Sequence, residues 1–491
     1  MKIVLINPPW YFSSANDKII SQNLAIGYLA GFLKAQNIEV AVIDSLAEGF
    51  SNHKKISRNN QEYIQTGLSY SDICARIGPD VTHVGITVPF SHLAPISRQL
   101  AKAVKESNDK LKVVMGGVFP STFPEKALTE SVDYVVRGEG EQPLLALMKG
   151  LAPDTIPGLV YKKNGTVHNN GVALPITNLD EIPFPARDMM PVEKYFSLSP
   201  RLEKNKRTCS IITSRGCPYD CNFCSVHSVY GYKWRSRSPA NVIAEIEMLV
   251  RNYNINHIEF EDDNLTMNKE RAESIFDGLI NLKKGLTWSA HNGVRVDTLD
   301  KNLIKKMGQS GCARLNLAIE SGNKSVLNLM NKKLSLEKIV EVVRYCSEEK
   351  IRTTGFLLVG YPGETKESFA ETLAFFKKLI GIGLNGVAPF IVNPYPGTKL
   401  YDYCRQNNLL TKQIDTDHFF SVSDKDNILI STDKFNKDDV ALWFESANNI
   451  NNNCLTYFKK VIKKYVPKQQ IYSIKSAVKN LADKCKIIKK R

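Results

Sequence analysis

The sequence predicts an α/β protein: a parallel, doubly wound sheet, then a second β/α unit, then a mostly helical, basic C-terminal extension. Strand and helix patterns alternate before residue 150 and again between 201 and 405, and such alternation pairs strands in parallel. Between the two lies a stretch rich in proline and turn residues, and beyond Lys459 the only acid is Asp483. The expected divisions are 1–150, a linker with a small hairpin at 151–200, 201–405, and the extension at 406–491.

A chain of 491 residues is too long for one ordinary core, and its 43% apolar content is that of a folded protein. The apolar run at Lys2 is too short, and too soon ended by Pro8 and Pro9, for a signal peptide. No stretch approaches the ~20 apolar residues that span a bilayer, so a cytoplasmic protein is expected. Ten cysteines in a large chain without an export signal read as reduced thiols plus a metal site. Much of the net charge of +15 sits in the tail, where basic residues beside Phe, Ile and Tyr could rest on anionic lipid or dock an acidic partner. No RNA-binding motif accompanies them, and a solvated helical cap is the default reading.

In the first unit, Lys2 to Pro9 reads as a buried strand stopped by a turn, and Asn23 to Gln36 has helical periodicity. Strands follow at Glu39–Asp44, Thr82–Val88 and Lys112–Gly117, with a helix at Ala94–Glu106. Doubly wound sheets bind ligands beyond the carboxyl ends of their strands, where Pro8, Asp44, Thr87, Gly116 and Gly117 fall. The linker holds Ile156 to Tyr161, a hairpin candidate.

In the second unit, strands are expected at Ser210–Thr213, His257–Glu261, Thr287–His291, Arg314–Ile319 and Gly355–Gly360. Helices should begin near Ala240, Lys269, Asp300, Ser335 and Thr365. The first strand leads into Arg215-Gly216-Cys217-Pro218-Tyr219-Asp220-Cys221-Asn222-Phe223-Cys224. Thiolates at C-x3-C-x2-C can wrap one loop around three corners of an iron–sulfur cubane and leave a fourth iron open. A zinc site closed by a distant residue such as His227, or three unrelated core cysteines, are the bland alternatives. Polar residues crowd the strand ends: Glu261 to Asn264, Arg295, Glu320-Ser321-Gly322 and Gly360 to Thr365. Asp262, Asp263 and Asn264 would contact a ligand or cap the following helix. Glu364 would sit near a ligand or serve as a helix N-terminal charge. His227 and His291 are candidate acids or bases, although an isolated His is more often structural.

C-x3-C-x-aromatic-C, with Phe223 in the aromatic slot and Ser214-Arg215-Gly216 ahead of it, resembles the signature of radical S-adenosylmethionine (SAM) enzymes. The resemblance implies a partial (β/α)6 TIM-type radical SAM barrel holding a 4Fe–4S cluster on Cys217, Cys221 and Cys224. SAM would chelate the open iron and be cleaved by one electron to a 5′-deoxyadenosyl radical. The segment resembling I-E-S-G would place Glu320 near the ribose and methionine of SAM. Ser321, Arg295 and Asp263 are further SAM candidates, with Phe223 beside the cluster.

The first unit resembles the Rossmann-like cobalamin-binding domain that precedes such barrels in one large class. The match covers Asn7-Pro8-Pro9, Asn23 to Ala30, Gly116-Gly117 and Val136-Arg137-Gly138-Glu139-Gly140-Glu141. It implies cobalamin contacts at Pro8, Asp44, Leu46, Thr87, Gly116, Gly117, Gly138 and Glu139. Where methionine synthase-type domains carry D-x-H-x-x-G with a cobalt-binding His, this chain has Asp44-Ser45-Leu46-Ala47-Glu48-Gly49. Leu46 has no lone pair, so the lower face of cobalt would lack a His ligand.

The expected function is cobalamin-dependent radical methyl transfer to a weakly activated carbon of a small-molecule or lipid substrate. A low-potential electron donor such as flavodoxin or ferredoxin would serve it. Oxidative ring closure with the same cofactors, as in anaerobic porphyrin cyclases, is the alternative within the class. A non-catalytic iron–sulfur or cobalamin-binding protein is the alternative outside it.

Overall fold

A computed structural model describes residues 1–12, 20–58, 61–198, 206–414 and 427–450. The first unit contributes β1 (Lys2–Asn7), β2 (Trp10–Phe12), β3 (Glu39–Asp44), β4 (His53–Arg58), β5 (Gln61–Thr66), β6 (His83–Thr87), β7 (Lys112–Gly116) and β8 (Tyr134–Val136). The linker adds β9 (Leu159–Lys163) and β10 (Thr166–Asn169). These form a seven-stranded sheet in the order β10-β9-β8-β7-β6-β1-β3, parallel from β3 to β8. The linker hairpin is thus an antiparallel edge of the first sheet. Both faces of that sheet are apolar, as a covered parallel sheet requires.

The neighbours of β1 are β3 on one side and β6 on the other, so the order reverses between β1 and β6. That switch point opens a crevice at the carboxyl ends of β1, β6 and β7. The separate β2-β5-β4 sheet was not evident in the sequence. Asp44, at the end of β3, caps the short helix Ser45–Glu48 and is tied to Asn7 (2.8 Å) and to the Tyr195 hydroxyl.

The second unit contributes β11 (Thr208–Ile211), β12 (Ser214–Arg215), β13 (Arg235–Ser236), β14 (His257–Phe260), β15 (Thr287–Val294), β16 (Cys312–Glu320), β17 (Arg352–Val359) and β18 (Gly386–Ile391). Six of them run parallel in the order β11-β14-β15-β16-β17-β18, an open barrel. Trp288 on β15 stacks on Phe276 of the surrounding helix Lys269–Leu282, so by the two-residue period Ser289 and His291 face the lumen. The helices start where Ser238, Asn268, Asp300, Ser335 and Thr365 accept backbone N–H groups of the first turn. Asn268 is therefore the cap of helix Lys269–Leu282, and Asp262, Asp263 and Asn264 are not.

The C-terminal part folds back on the barrel: residues 437–450 are helical, with Trp443 and Phe444 buried and Leu442 exposed. Tyr457 to Tyr465 and Lys484 to Arg491 lie outside the described residues. Among the described residues no helix is long and apolar enough to cross a membrane.

The linker is bolted to the barrel through charge. Arg187 donates to Glu245 (2.6 Å) and to the carbonyl of Ser210 (2.6 Å), while Arg237 takes the other oxygen of Glu245. All three side chains are buried. Replacing Glu245 with Ala leaves two guanidinium groups inside without their carboxylate, and about 3–5 kcal/mol of stability should be lost. Urea unfolding of parent and variant checks this.

Candidate active site

The cluster loop leaves β12 through Gly216, whose φ of 84° and 2.5 Å clearance between a built Cβ and the Lys233 carbonyl restrict the position to glycine. Asp262 holds the entry to this loop: its carboxylate accepts from the Thr213 hydroxyl (2.7 Å), the Thr213 N–H (3.1 Å) and the Ser214 hydroxyl (2.5 Å). Cys217, Cys221 and Cys224 follow, half-buried and free of disulfides. Burial pushes the Cys217 thiol up and the Cys224 thiol to about 12, with the neighbouring thiols adding to it. Thiolates at these positions need a cation beside them, as iron would be.

Among the described residues no three His, Cys, Asp or Glu groups converge on a single ion. A cubane spreads its thiolates over three separate irons, which suits a loop of this breadth better than a tetrahedral zinc site does. His227 has one ring nitrogen 3.0 Å from the Cys217 carbonyl and stacks on Tyr232, a structural role on the loop itself.

Arg295, Glu320 and Phe223, separated in sequence, meet beside Cys221. The Arg295 guanidinium lies 3.5 Å from the centre of the Tyr219 ring, 3.8 Å from the Cys221 sulfur and 2.8 Å from the Lys332 carbonyl. Lys332, buried, pairs with Glu320 at 3.0 Å and stands 5.8 Å over the Phe223 ring. Glu320 takes φ of 71°, next to an irregularity in the β16–β17 register, which turns its carboxylate toward this group. Sequence reasoning missed Lys332, because Asn331-Lys332-Lys333 looks like an exposed basic turn.

Ser321 is engaged elsewhere: its hydroxyl meets Thr372 (3.0 Å) and accepts the Asn323 N–H (3.1 Å), bracing the start of a helix. Glu364 stands directly before Thr365, the N-cap of helix Lys366–Ile382. It is fully buried, with one oxygen accepting the Gly360 N–H at 2.9 Å and the other unpartnered.

Against the loop lies a cavity of about 470 Å³ whose walls come from both units. The first unit supplies Thr87, Gly116, Gly117, Gly138, Glu139 and Glu141, with apolar Leu5, Ile26, Val114 and Val136; the second supplies Arg215, Cys224, Val226, Tyr230 and Asp263. Gly117, at φ of 116°, brings the chain to 2.7 Å between a built Cβ and the Val88 carbonyl, while a Cβ at Gly116 would meet nothing nearer than 3.9 Å. The result is a broad, largely apolar floor that fits a flat macrocycle. Asp263 accepts the Gly216 N–H, and burial, helped by Asp262, pushes its carboxyl up to about 7.

Three residues expected at this floor are not on the cavity wall. Asp44 is consumed as a helix cap, Leu46 packs with Phe12, Ile20 and Tyr195, and Pro8 is buried at the end of β1. For Asp44 and Leu46 the physical reason is strand order, since β3 lies on the far side of β1 from the crevice; Pro8 follows β1 itself and is buried in the turn that leads to β2. Glu139 is on the wall, but its carboxylate is bound by Arg215 (3.1 Å) and by Arg235.

Comparison with known proteins follows this division. The Radical SAM superfamily profile matches residues 211–376 and the B12 binding domain profile residues 15–148. An uncharacterized methyltransferase of Pyrococcus horikoshii is 34% identical over 422 residues, covering 84% of each chain. The chain belongs to the radical SAM enzymes that carry a B12 binding domain. Its cofactors are accordingly a 4Fe–4S cluster, SAM and cobalamin. Cytidylyl-2-hydroxyethylphosphonate methyltransferase of Streptomyces wedmorensis is 29% identical, covering 82% of this chain and 81% of its own. Among solved structures, the cobalamin-dependent radical enzyme OxsB superposes with a TM-score of 0.70 at 18% identity, covering 98% of this chain and 71% of its own.

Among the described residues no histidine lines the cavity. Bound cob(II)alamin should show a base-off spectrum without nitrogen coupling from a protein imidazole in electron paramagnetic resonance; such coupling would refute the absence of an axial His. Glu364 yields a second test, since burial raises its carboxyl to about 8. The folded chain keeps this proton longer than the unfolded one, so stability falls as pH rises from the ordinary Glu value, ~4.3, through the folded value. In Glu364→Gln that part of the slope should vanish, a difference of at least about 1 kcal/mol between mildly acidic and mildly basic urea titrations.

Proposed function

We propose that this enzyme transfers a methyl group to a weakly activated carbon of a small-molecule substrate, using both cofactors in one turnover. The observation that carries the reading is the shared wall: Cys224 of the cluster loop and the Gly116–Gly117 floor line the same cavity. The two methyltransferase relatives, aligned over more than four fifths of their lengths, support it. When bound, the cluster with SAM supplies a 5′-deoxyadenosyl radical, and cobalamin supplies the methyl group.

The chain's own residues then have separable tasks. Cys217, Cys221 and Cys224 hold three irons. Arg295 and the Lys332–Glu320 pair set the charge beside Cys221, where the carboxylate and ammonium of SAM would find complementary groups. Ile26, Leu144, Val226 and Tyr230 keep the cavity walls apolar, which limits quenching of a carbon radical by solvent. Asp263 presents a carboxyl near neutrality that can donate or accept a hydrogen bond to a substrate heteroatom. Reduction calls for a low-potential donor such as flavodoxin or ferredoxin.

After anaerobic reconstitution, the parent should release 5′-deoxyadenosine together with S-adenosylhomocysteine. Cys217→Ala, Cys221→Ala and Cys224→Ala should each lose the cluster absorbance and at least about 1000-fold of SAM cleavage, since no step survives without the radical source. Retained cleavage would refute the site. 5′-Deoxyadenosine without S-adenosylhomocysteine, in the presence of converted substrate, would replace methyl transfer by oxidative cyclisation.

A further inference from the structure

The ribbon that opens the cluster loop contains a conflict. In the β12–β13 pair, Arg215 and Arg235 stand directly opposite one another. Like charges at such positions repel, and here both are buried, with side-chain exposures of 7% and 2%. The compensating carboxylates come from the other unit. Glu139 places one oxygen 3.1 Å from Arg215 and the other against Arg235, and Glu141 meets the second arm of Arg215 at 2.7 Å. Two guanidinium groups and two carboxylates make a neutral quartet, and Tyr28 and Tyr230 flank Arg215 with rings at 5.3 and 5.7 Å.

Gly138 to Glu141 is also a wall of the cavity. Its first N–H donates to the Ser121 hydroxyl (3.0 Å), and that hydroxyl donates to the Gly117 carbonyl (2.8 Å) on the cavity floor. An unbroken path of hydrogen bonds and main chain therefore runs from Gly117 through Ser121, Gly138, Glu139 and Arg215 to Gly216 and Cys217.

We propose that Arg215, Arg235, Glu139 and Glu141 form a positioning element that couples the two cofactor sites. Occupation of the cobalamin cavity holds the Gly138–Glu141 turn, the turn holds Arg215, and Arg215 sets the cluster loop in the geometry that binds the cubane. By linkage, an ordered cluster loop tightens the cobalamin site by the same factor. The proposal rests on both cofactors binding and is independent of whether methyl transfer is the outcome.

Cysteine accessibility tests it, because Cys224 lines the cavity while Cys217 and Cys221 do not. Full-length, cluster-free protein is alkylated with iodoacetamide, with and without methylcobalamin, and each cysteine is followed by mass spectrometry. In the parent, methylcobalamin should slow alkylation of Cys224 by direct cover and of Cys217 through the quartet, each at least about fivefold. Arg215→Met combined with Glu141→Leu removes one positive and one negative charge and leaves Arg235 paired with Glu139, so burial is not left uncompensated. Because Arg215 and Glu141 also line the cavity, methylcobalamin is raised until Cys224 of the double variant is as protected as in the parent, and at that occupancy protection of Cys217 should be absent. Arg215→Lys keeps the charge without the two-armed fork and should restore only part of the Cys217 protection. Protection of Cys217 that persists in the double variant, or that is absent in a parent whose Cys224 is protected, overturns the proposal. Absence of protection at all three cysteines in the parent overturns the cavity assignment itself.

Discussion

The arrangement of this enzyme depends on placing charge in the interior only where it is neutralised across a boundary. Arg215 and Arg235, side by side on a two-residue ribbon, are tolerable because Glu139 and Glu141 reach them from the first unit. Arg187 and Arg237 are tolerable because Glu245 stands between them. A buried ion missing its partner costs several kcal/mol, so these contacts make the relative position of sheet, linker and barrel a condition of folding. Apolar packing of the same area would have fixed the distance between the units less specifically, since hydrophobic contact has no direction.

Placement of charge also distinguishes the two sides of the cluster loop. On the Cys221 side, Arg295 and Lys332 bring two cations with Glu320 and Asp297 as counterparts, a polar setting for an amino acid ligand. On the Cys224 side the walls are largely apolar, the charges of Arg215, Glu139 and Glu141 are paired with one another or with Arg235, and the Asp263 carboxyl is pushed toward neutrality. A polar ligand and a nonpolar reaction space can thus lie on opposite flanks of one short loop. Gly216 makes the loop's close turn against Lys233 feasible, and Asp262 uses its two oxygens to hold Thr213 and Ser214 at the entry.

Much of the fold was legible because the signals were local. Ser238, Asn268, Asp300, Ser335 and Thr365 announce helices by a chemistry that operates within one turn, and short apolar runs rich in β-branched residues, such as Ile3 to Ile6, announce buried strands. Strand β18 was not legible: Gly386 and Pro389 in six residues disguise it, and only pairing along β17 makes it a strand. The β2-β5-β4 sheet escaped for a similar reason: β4 and β5 are rich in polar and charged residues, and β2 is only Trp10–Phe12, so only pairing makes them a sheet. In the site, C-x3-C-x2-C and Glu320 were found because their spacing or flanking sequence is itself informative. Lys332 and the arginine–glutamate quartet were not, since a Lys in a basic turn or a Glu in a Gly-Glu-Gly-Glu run looks exposed until another segment covers it.

The sequence alone determined that three thiols share one loop, that two β/α units follow one another, and that Leu46, not a histidine, stands two positions after Asp44 where a cobalt ligand would be. These are consequences of residue identity and near spacing. Strand order was a matter for the tertiary structure, and it removed Asp44 and Leu46 from the cavity by setting β3 on the outer side of β1. Only the packed molecule could show that Glu139 answers two arginines about eighty and one hundred residues away, because the free energy of such contacts comes from burial shared by distant segments.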